Sequence, residues 1–178
     1  MIAERNTFKI STNETITFDS LYRQYAQSLK DYFGRNGIQQ FHSDDLVHEV
    51  FYRILKYNKS FRKHEPFKPW LYTTARNVMN DHFKSQKRHP LAKEGETANN
   101  FTETVDTESE TEKSLCLKIA MEKMEPADKE LLVMHRFHKL SYAEIGKVLG
   151  ISEANARVKA HRALNKLRIE FFQQYKED

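Results

Sequence analysis

Apolar residues recur along this chain at intervals of three and four, the spacing of one helix face, and rarely alternate as a strand's would. From Phe18 to Phe33 the positions Phe18, Leu21, Tyr22, Tyr25, Leu29 and Phe33 share a face, and Gly34 and Gly37 then break the pattern. Ser43 reads as the N-cap of a second helix, with Asp44 and Asp45 in its first turn, where carboxylates favour the helix dipole. Leu46, Val47, Val50, Phe51, Ile54 and Leu55 form its apolar stripe, opposite Asp45, Glu49, Tyr52, Arg53 and Lys56. After the polar stretch YNKSFRKHEPFK, Pro69 suits the first helical position of PWLYTTARNVMNDHFKSQKR, because it has no N–H to leave unpaired there. Leu71, Thr74, Ala75, Val78, Met79, His82 and Phe83 predict its packed face, with Tyr72, Arg76, Asn77, Asn80, Asp81, Lys84 and Lys87 turned away. Three or four helices thus share one small core that ends near Arg88.

A second helical group starts near Lys113. Leu115, Ile119, Met121 and Met124 predict a helix ended by Glu125-Pro126. Another runs from Ala127 to His138, with Leu131, Leu132, Met134, His135 and Phe137 as its apolar side. In LSYAEIGKVLGISEANARVKAHRALNKL, Ile145, Val148 and Leu149 line one face of a short helix, Gly150 stops it, and Ser152 can cap the next. Ala156, Ala160, Leu164 and Leu167 form the stripe of that last helix, and Arg157, Lys159, Arg162 and Lys166 lie off it. The fold class is all-α, in two small domains.

Between the groups, residues 90–112 contain few large apolar side chains and cannot bury enough surface to offset ordering the backbone. Residues 91–112 hold seven acidic side chains against Lys93 alone, so this strip is −6 in a chain of +4 and the remainder carries +10. A flexible, self-repelling tether is one reading; a mimic of nucleic acid that competes for the basic faces nearby is another. Basic modules around an acidic strip favour a polyanionic partner.

Composition narrows the class further. Hydrophobic residues make up 39%, charged residues 30%, and mean hydropathy is −0.77, with no run approaching the roughly 20 apolar residues of a membrane span. The N-terminal stretch has no apolar core of the signal-peptide kind, and Cys116 is the single cysteine, so a reducing cytoplasm and a buried thiol are expected. Catalysis finds no support: the eight histidines are scattered, His135-x-x-His138 lacks partners at ligand spacing, and five glycines form no phosphate loop. No enzyme activity, metal or cofactor is expected.

The helix pair ending at Leu167 is a helix-turn-helix pattern, whose second helix enters the major groove. The competing account is an antiparallel helix pair with a solvated basic face. On the DNA reading, Arg157, Lys159 and Arg162 reach guanine O6/N7 or phosphates, Asn155 pairs with adenine, and Val158 meets a thymine methyl. His161 is a contact or a ring packed at the helix edge. Ser141 and Tyr142 donate to the DNA backbone. Upstream, Tyr57, Phe61, Phe67, Trp70 and Tyr72 are interleaved with Lys56, Lys59, Arg62, Lys63 and Lys68, a mixture suited to stacking unpaired bases and following phosphates. Taken singly, Trp70 and Phe67 are better explained as core, whereas Asn58, Lys59, Phe61 and Arg62, in a polar loop, are the stronger candidates for contact.

These segments resemble a bacterial RNA polymerase sigma factor of the extracytoplasmic-function (ECF) group of the sigma-70 family. DDLVHEVFYRILKYNKSF is similar to that family's region 2.2, FKPWLYTTARNVMNDHFKSQKR to regions 2.3 and 2.4, and MEKMEPADKELLVMHRFHKLSYAEIGKVLGISEANARVKAHRALNKLR to region 4. The resemblance implies an N-terminal tail (1–15), a region 2-like domain (16–89), the acidic linker (90–112) and a region 4-like domain (113–175). It implies an alternative sigma factor that reads a −35 element and opens DNA at a −10 element. The loop before Trp70 would capture a flipped base, with Arg76, Asn77 and Lys84 on the helix beside it. Asp44, Asp45, Glu49, Tyr52 and Arg53 would dock on the polymerase β′ clamp helices. Core RNA polymerase (β′ clamp helices and β flap), promoter DNA and an anti-sigma factor are the implied partners, with no membrane insertion. The recognition helix departs from the common Gly-Thr-Val-Lys/Arg-Ser-Arg pattern, since Asn155 replaces a hydroxyl and Val158 a serine, so no promoter sequence carries over. Two other expectations compete: a stand-alone helix-turn-helix regulator binding a palindrome as a dimer, and a helical adaptor that binds only protein.

Overall fold

A computed structural model of the chain describes residues 7–9, 15–57, 66–88 and 112–176. The chain divides into two compact units, Met1–Phe101 and Thr102–Asp178. Helices dominate both, in accord with the all-α reading.

The first unit opens on a feature that the apolar spacing does not reveal, a two-stranded antiparallel ribbon. Strand β1 (Thr7–Lys9) pairs with β2 (Thr15–Thr17), Phe8 opposite Ile16. The expected tail of residues 1–15 therefore includes ordered strand. Threonine, isoleucine and phenylalanine favour a pleated backbone, but three residues are too few for a period of two to be recognised. β2 runs directly into α1 (Phe18–Arg35), where the Thr17 hydroxyl accepts the Ser20 N–H at 3.3 Å and caps the helix.

Helix α2 (Gln40–Lys56) starts earlier than Ser43 predicts. Gly37, at φ 92°, turns the chain so that Ile38 is buried against the core, and Gln39 becomes the N-cap. Ser43 sits inside the helix, buried, and its hydroxyl donates to the Gln39 carbonyl at 3.2 Å. Asp44 and Asp45 consequently lie beyond the first turn. Helix α3 (Phe67–Arg88) also starts before its expected position, with Pro69 still inside the first turn where its missing N–H costs nothing. Leu21, Leu29, Phe33, Val47, Val50, Phe51, Ile54, Leu71, Ala75 and Val78 close a common core among the three helices.

Tyr72 is a correction to the predicted faces. It is buried, edge-on to Tyr32 at 5.3 Å, with its hydroxyl 2.9 Å from Ser28 Oγ. Two neighbours flank α3, so its covered sector is wider than one stripe.

The second unit comprises α4 (Glu112–Glu122), α5 (Pro126–Leu132), α6 (Tyr142–Leu149) and α7 (Glu153–Lys176), with α7 packed against the other three. Cys116 and Ala120, not Leu115, face the core from α4, and Leu115 is exposed. After Leu132 the backbone widens into a π-helical turn, Val133–Phe137, closed by the His138 N–H donating to the Val133 carbonyl at 3.2 Å. The widened turn shifts the register by one residue, so Phe137 is exposed and His138 is buried. On α7 the covered stripe is Ala156, Ala160 and Ala163, while Leu164 is exposed. Alanines let α7 approach its neighbours closely.

Candidate nucleic-acid interface

The turn between α6 and α7 is built by short-range chemistry. The Ser141 hydroxyl accepts the Glu144 N–H at 3.2 Å and donates to the Glu144 carboxylate at 2.9 Å, while the Ser141 N–H donates to that carboxylate at 2.8 Å. Gly150 ends α6 in the left-handed conformation at φ 68°, and the Ser152 hydroxyl caps α7 by accepting the Asn155 N–H at 3.2 Å. Gly146 allows the close crossing: a Cβ there would stand 2.7 Å from the Ile151 carbonyl oxygen. These contacts fix the angle at which α7 leaves α6.

Asn155, Arg157, Val158, Lys159, His161 and Arg162 are all exposed, opposite or beside the alanine stripe. His161 is therefore not a packed ring; its Nδ1 lies 3.3 Å from Asn165 Nδ2. Arg157 donates to Glu153 at 3.0 Å, and its guanidinium lies 5.7 Å from the Tyr142 ring centre. Tyr142 in turn stacks on His135, at 4.4 Å and 24°. The His135 ring is held by donating from Nδ1 to the Leu140 carbonyl at 2.9 Å. Tyr142 is thus part of a stack as well as a residue at the start of α6, and the Ser141 hydroxyl is committed to its cap. Glu153 and His135 are absent from the sequence-based set. The spacing of Glu153 and Arg157, an i,i+4 pair, was the available signal.

In the first unit, α2 exposes Asp44, Asp45 and Tyr52, with Glu49 and Arg53 half-buried beside them. Lys30 pairs with Asp44. Arg53 bridges α2 and α3, with Nε 2.6 Å from Glu49 and Nη1 2.9 Å from Asp81. The Glu49 hydrogen bond outweighs burial and, with Asp81, raises the Arg53 pKa above its ordinary value, so its charge is fixed. Tyr52 and Tyr57 are both more than half exposed, with the Lys56 ammonium 5.8 Å and 5.5 Å from their rings. Phe67 is core, as its alternative reading had it, and Trp70 is half-buried against it at 5.8 Å. Along α3, Arg76 is half-buried and Asn77 and Lys84 are exposed. Asn58, Lys59, Phe61 and Arg62 lie outside the described residues, as does the acidic strip up to Thr111. Among the described residues no group of three or more His, Cys, Asp or Glu is arranged to hold a metal ion.

The family model for Sigma-70 region 2 matches residues 21–89, and that for Sigma-70 region 4 matches residues 114–167. Together they cover well over half of the chain. The chain belongs to the sigma-70 family. Relatives of this sigma factor include RNA polymerase sigma factor YlaC of Bacillus subtilis (strain 168), 28% identical over 83% of this chain and 87% of that protein. RNA polymerase sigma factor CarQ of Myxococcus xanthus is 27% identical over 85% of this chain and 87% of its own length. ECF RNA polymerase sigma factor SigM of B. subtilis is 25% identical over 86% and 94%.

Two solved structures share the fold. The sigma factor RpoE of Bartonella quintana, crystallised with the anti-sigma factor NepR, superposes with a TM-score of 0.69 at 17% identity, covering 86% of this chain and 95% of that one. CnrH, solved with the cytosolic domain of CnrY, gives 0.63 at 22% identity, covering 85% of each chain. This sigma factor is of the ECF type and directs transcription initiation, and its named relatives are sigma factors rather than enzymes. No described helix is long and apolar enough to cross a membrane.

Proposed function

We propose that the two units of this sigma factor divide promoter recognition. Residues 16–89 dock on core RNA polymerase and hold open the −10 element; residues 113–175 place α7 in the major groove of the −35 element; residues 90–112 tether them. The observation that carries this reading is the co-occurrence in one chain of both sigma regions, with every basic residue proposed for α7 readout on its exposed side. Each bidentate base contact is worth roughly 1–3 kcal/mol of discrimination, so a few from Arg157, Lys159, Arg162 and Asn155 are enough to choose a promoter. Phosphate contacts from the start of α6 set register, through Tyr142 and, where a phosphate displaces the Glu144 carboxylate from its cap, through Ser141.

DNA opening needs no catalytic group. Asn58, Lys59, Phe61, Arg62 and Trp70 trap unpaired bases, Arg76, Asn77 and Lys84 follow the backbone, and stacking contributes roughly 1–3 kcal/mol per base. Asp44, Asp45, Glu49, Tyr52 and Arg53 form the clamp-helix surface, and the second unit meets the β flap. Differential binding to the open state then shifts the equilibrium. The protein works in the cytoplasm without a cofactor. Because RpoE was solved with the anti-sigma factor NepR, an anti-sigma factor is also expected here.

Reconstitution tests the reading. Purified chain added to core polymerase should yield discrete transcript starts that share an upstream and a downstream element. Failure to bind core polymerase would overturn it. Tight binding to a palindromic duplex by the chain alone, as a dimer, would establish the stand-alone regulator in its place.

A further inference from the structure

Glu153 is the first residue of α7 and an exposed carboxylate on a helix otherwise arrayed with Arg157, Lys159 and Arg162 for DNA. A carboxylate that close to phosphates repels them, so its place calls for a reason beyond its favourable position in the helix dipole. The Glu153 carboxylate takes one N–H of Arg157 at 3.0 Å, and the same guanidinium lies 5.7 Å from the centre of the Tyr142 ring. Tyr142 is backed by His135 at 4.4 Å, and His135 is held by the Leu140 carbonyl. Three elements, the π turn, α6 and α7, therefore converge on one arginine.

We propose that Glu153 is a specificity-determining positioning residue, which acts through Arg157 by holding its guanidinium against Tyr142 so that it meets a base edge and not a passing phosphate. The inference rests on the reading of α7 given above. An untethered arginine on a DNA-facing surface binds any phosphate, and that attraction is independent of sequence and steeply salt-dependent. A neighbouring carboxylate offsets part of its charge and lowers that generic pull. Arginine has five N–H donors in a planar fork, so one given to Glu153 leaves donors for guanine O6 and N7. Both ties are individually weak, being an exposed i,i+4 ion pair and an exposed cation–ring contact. Their effect is to restrict direction, which sets specificity more than affinity.

The test uses holoenzyme reconstituted from the full chain and core polymerase, on a promoter found by mapping transcript starts, with each upstream base pair substituted singly. Glu153→Gln should bind mismatched promoters more tightly, steepen the dependence of log K on log salt by about 1, and lower discrimination at one base pair by about fivefold. Arg157→Ala should lose discrimination at that same base pair, and adding Glu153→Gln to it should change nothing further there. A thermal melt of each variant separates these effects from loss of fold, which moves all base pairs together. Unchanged discrimination in Glu153→Gln alongside a loss in Arg157→Ala would overturn the role of Glu153 alone. Full discrimination retained in Arg157→Ala would overturn the reading of α7, and this inference with it.

Discussion

Tyr72 combines packing with a polar anchor: its ring is buried edge-on to Tyr32 and its hydroxyl lies 2.9 Å from Ser28 Oγ. Burial pushes its pKa from near 10 up to about 12, which the Ser28 hydrogen bond opposes only in part. A group whose folded pKa is raised contributes stability that is complete below the unfolded pKa and lost as pH rises through the folded one. The first unit should therefore hold constant stability from this residue up to pH 10, then lose on the order of 2–3 kcal/mol approaching pH 12. Tyr72→Phe should abolish that fall at a cost of about 1 kcal/mol at neutral pH, from the lost hydrogen bond. The single tryptophan, Trp70, lies in α3, so its fluorescence in urea titrations at pH 8 and pH 11 reports this unit. Helical spacing alone placed Tyr72 on the outer face, since a wheel has no term for a second neighbouring helix.

Among the elements, the α6–α7 turn depends on two glycines for different reasons. Gly150 needs its left-handed backbone, whereas Gly146 needs the absence of a side chain, because a Cβ would meet the Ile151 carbonyl oxygen at 2.7 Å. The Gly146 carbonyl also accepts the Ile151 N–H at 2.9 Å, so the two strands of the turn cannot part without breaking it. Gly150→Ala should cost about 1 kcal/mol. Gly146→Ala should cost about 2–3 kcal/mol through overpacking against backbone, and should weaken promoter binding by re-aiming α7. Urea unfolding followed by circular dichroism, with promoter binding measured on the same samples, checks the order. Gly150 was legible as a helix stop from its position after Leu149. Gly146 was not, because its constraint comes from a residue across the turn. The π turn was also invisible: Val133, Met134 and Phe137 suit an ordinary helix, and only the closure around Leu140 pulls the register over by one.

At the scale of the molecule, the two units should fail independently. Arg157→Ala should reduce upstream-element selection about tenfold, within the range of one base contact, and leave core polymerase binding intact. Asp45→Arg, which reverses a charge on the exposed face of α2, should weaken core binding and leave the DNA preference of α7 unchanged. Binding of each variant to core polymerase, and footprints of the resulting holoenzymes, would separate the two losses; an equal loss of core binding by both would refute the division of labour.

Sequence by itself determined the helices and their inward stripes, the Gly150 and Ser152 signals, and the order of the two sigma regions. These are local or periodic properties that each segment carries without its partners. Tertiary structure decided which flank of each stripe is covered. Ser43, read as a cap, became an internal helix residue once Ile38 was drawn into the core, and Leu164 yielded its stripe position to Ala163. It also decided that Arg157 lies between a carboxylate and a tyrosine from another helix. Burial and side-chain direction are properties of neighbours, and neighbours distant in sequence meet only when the chain has folded.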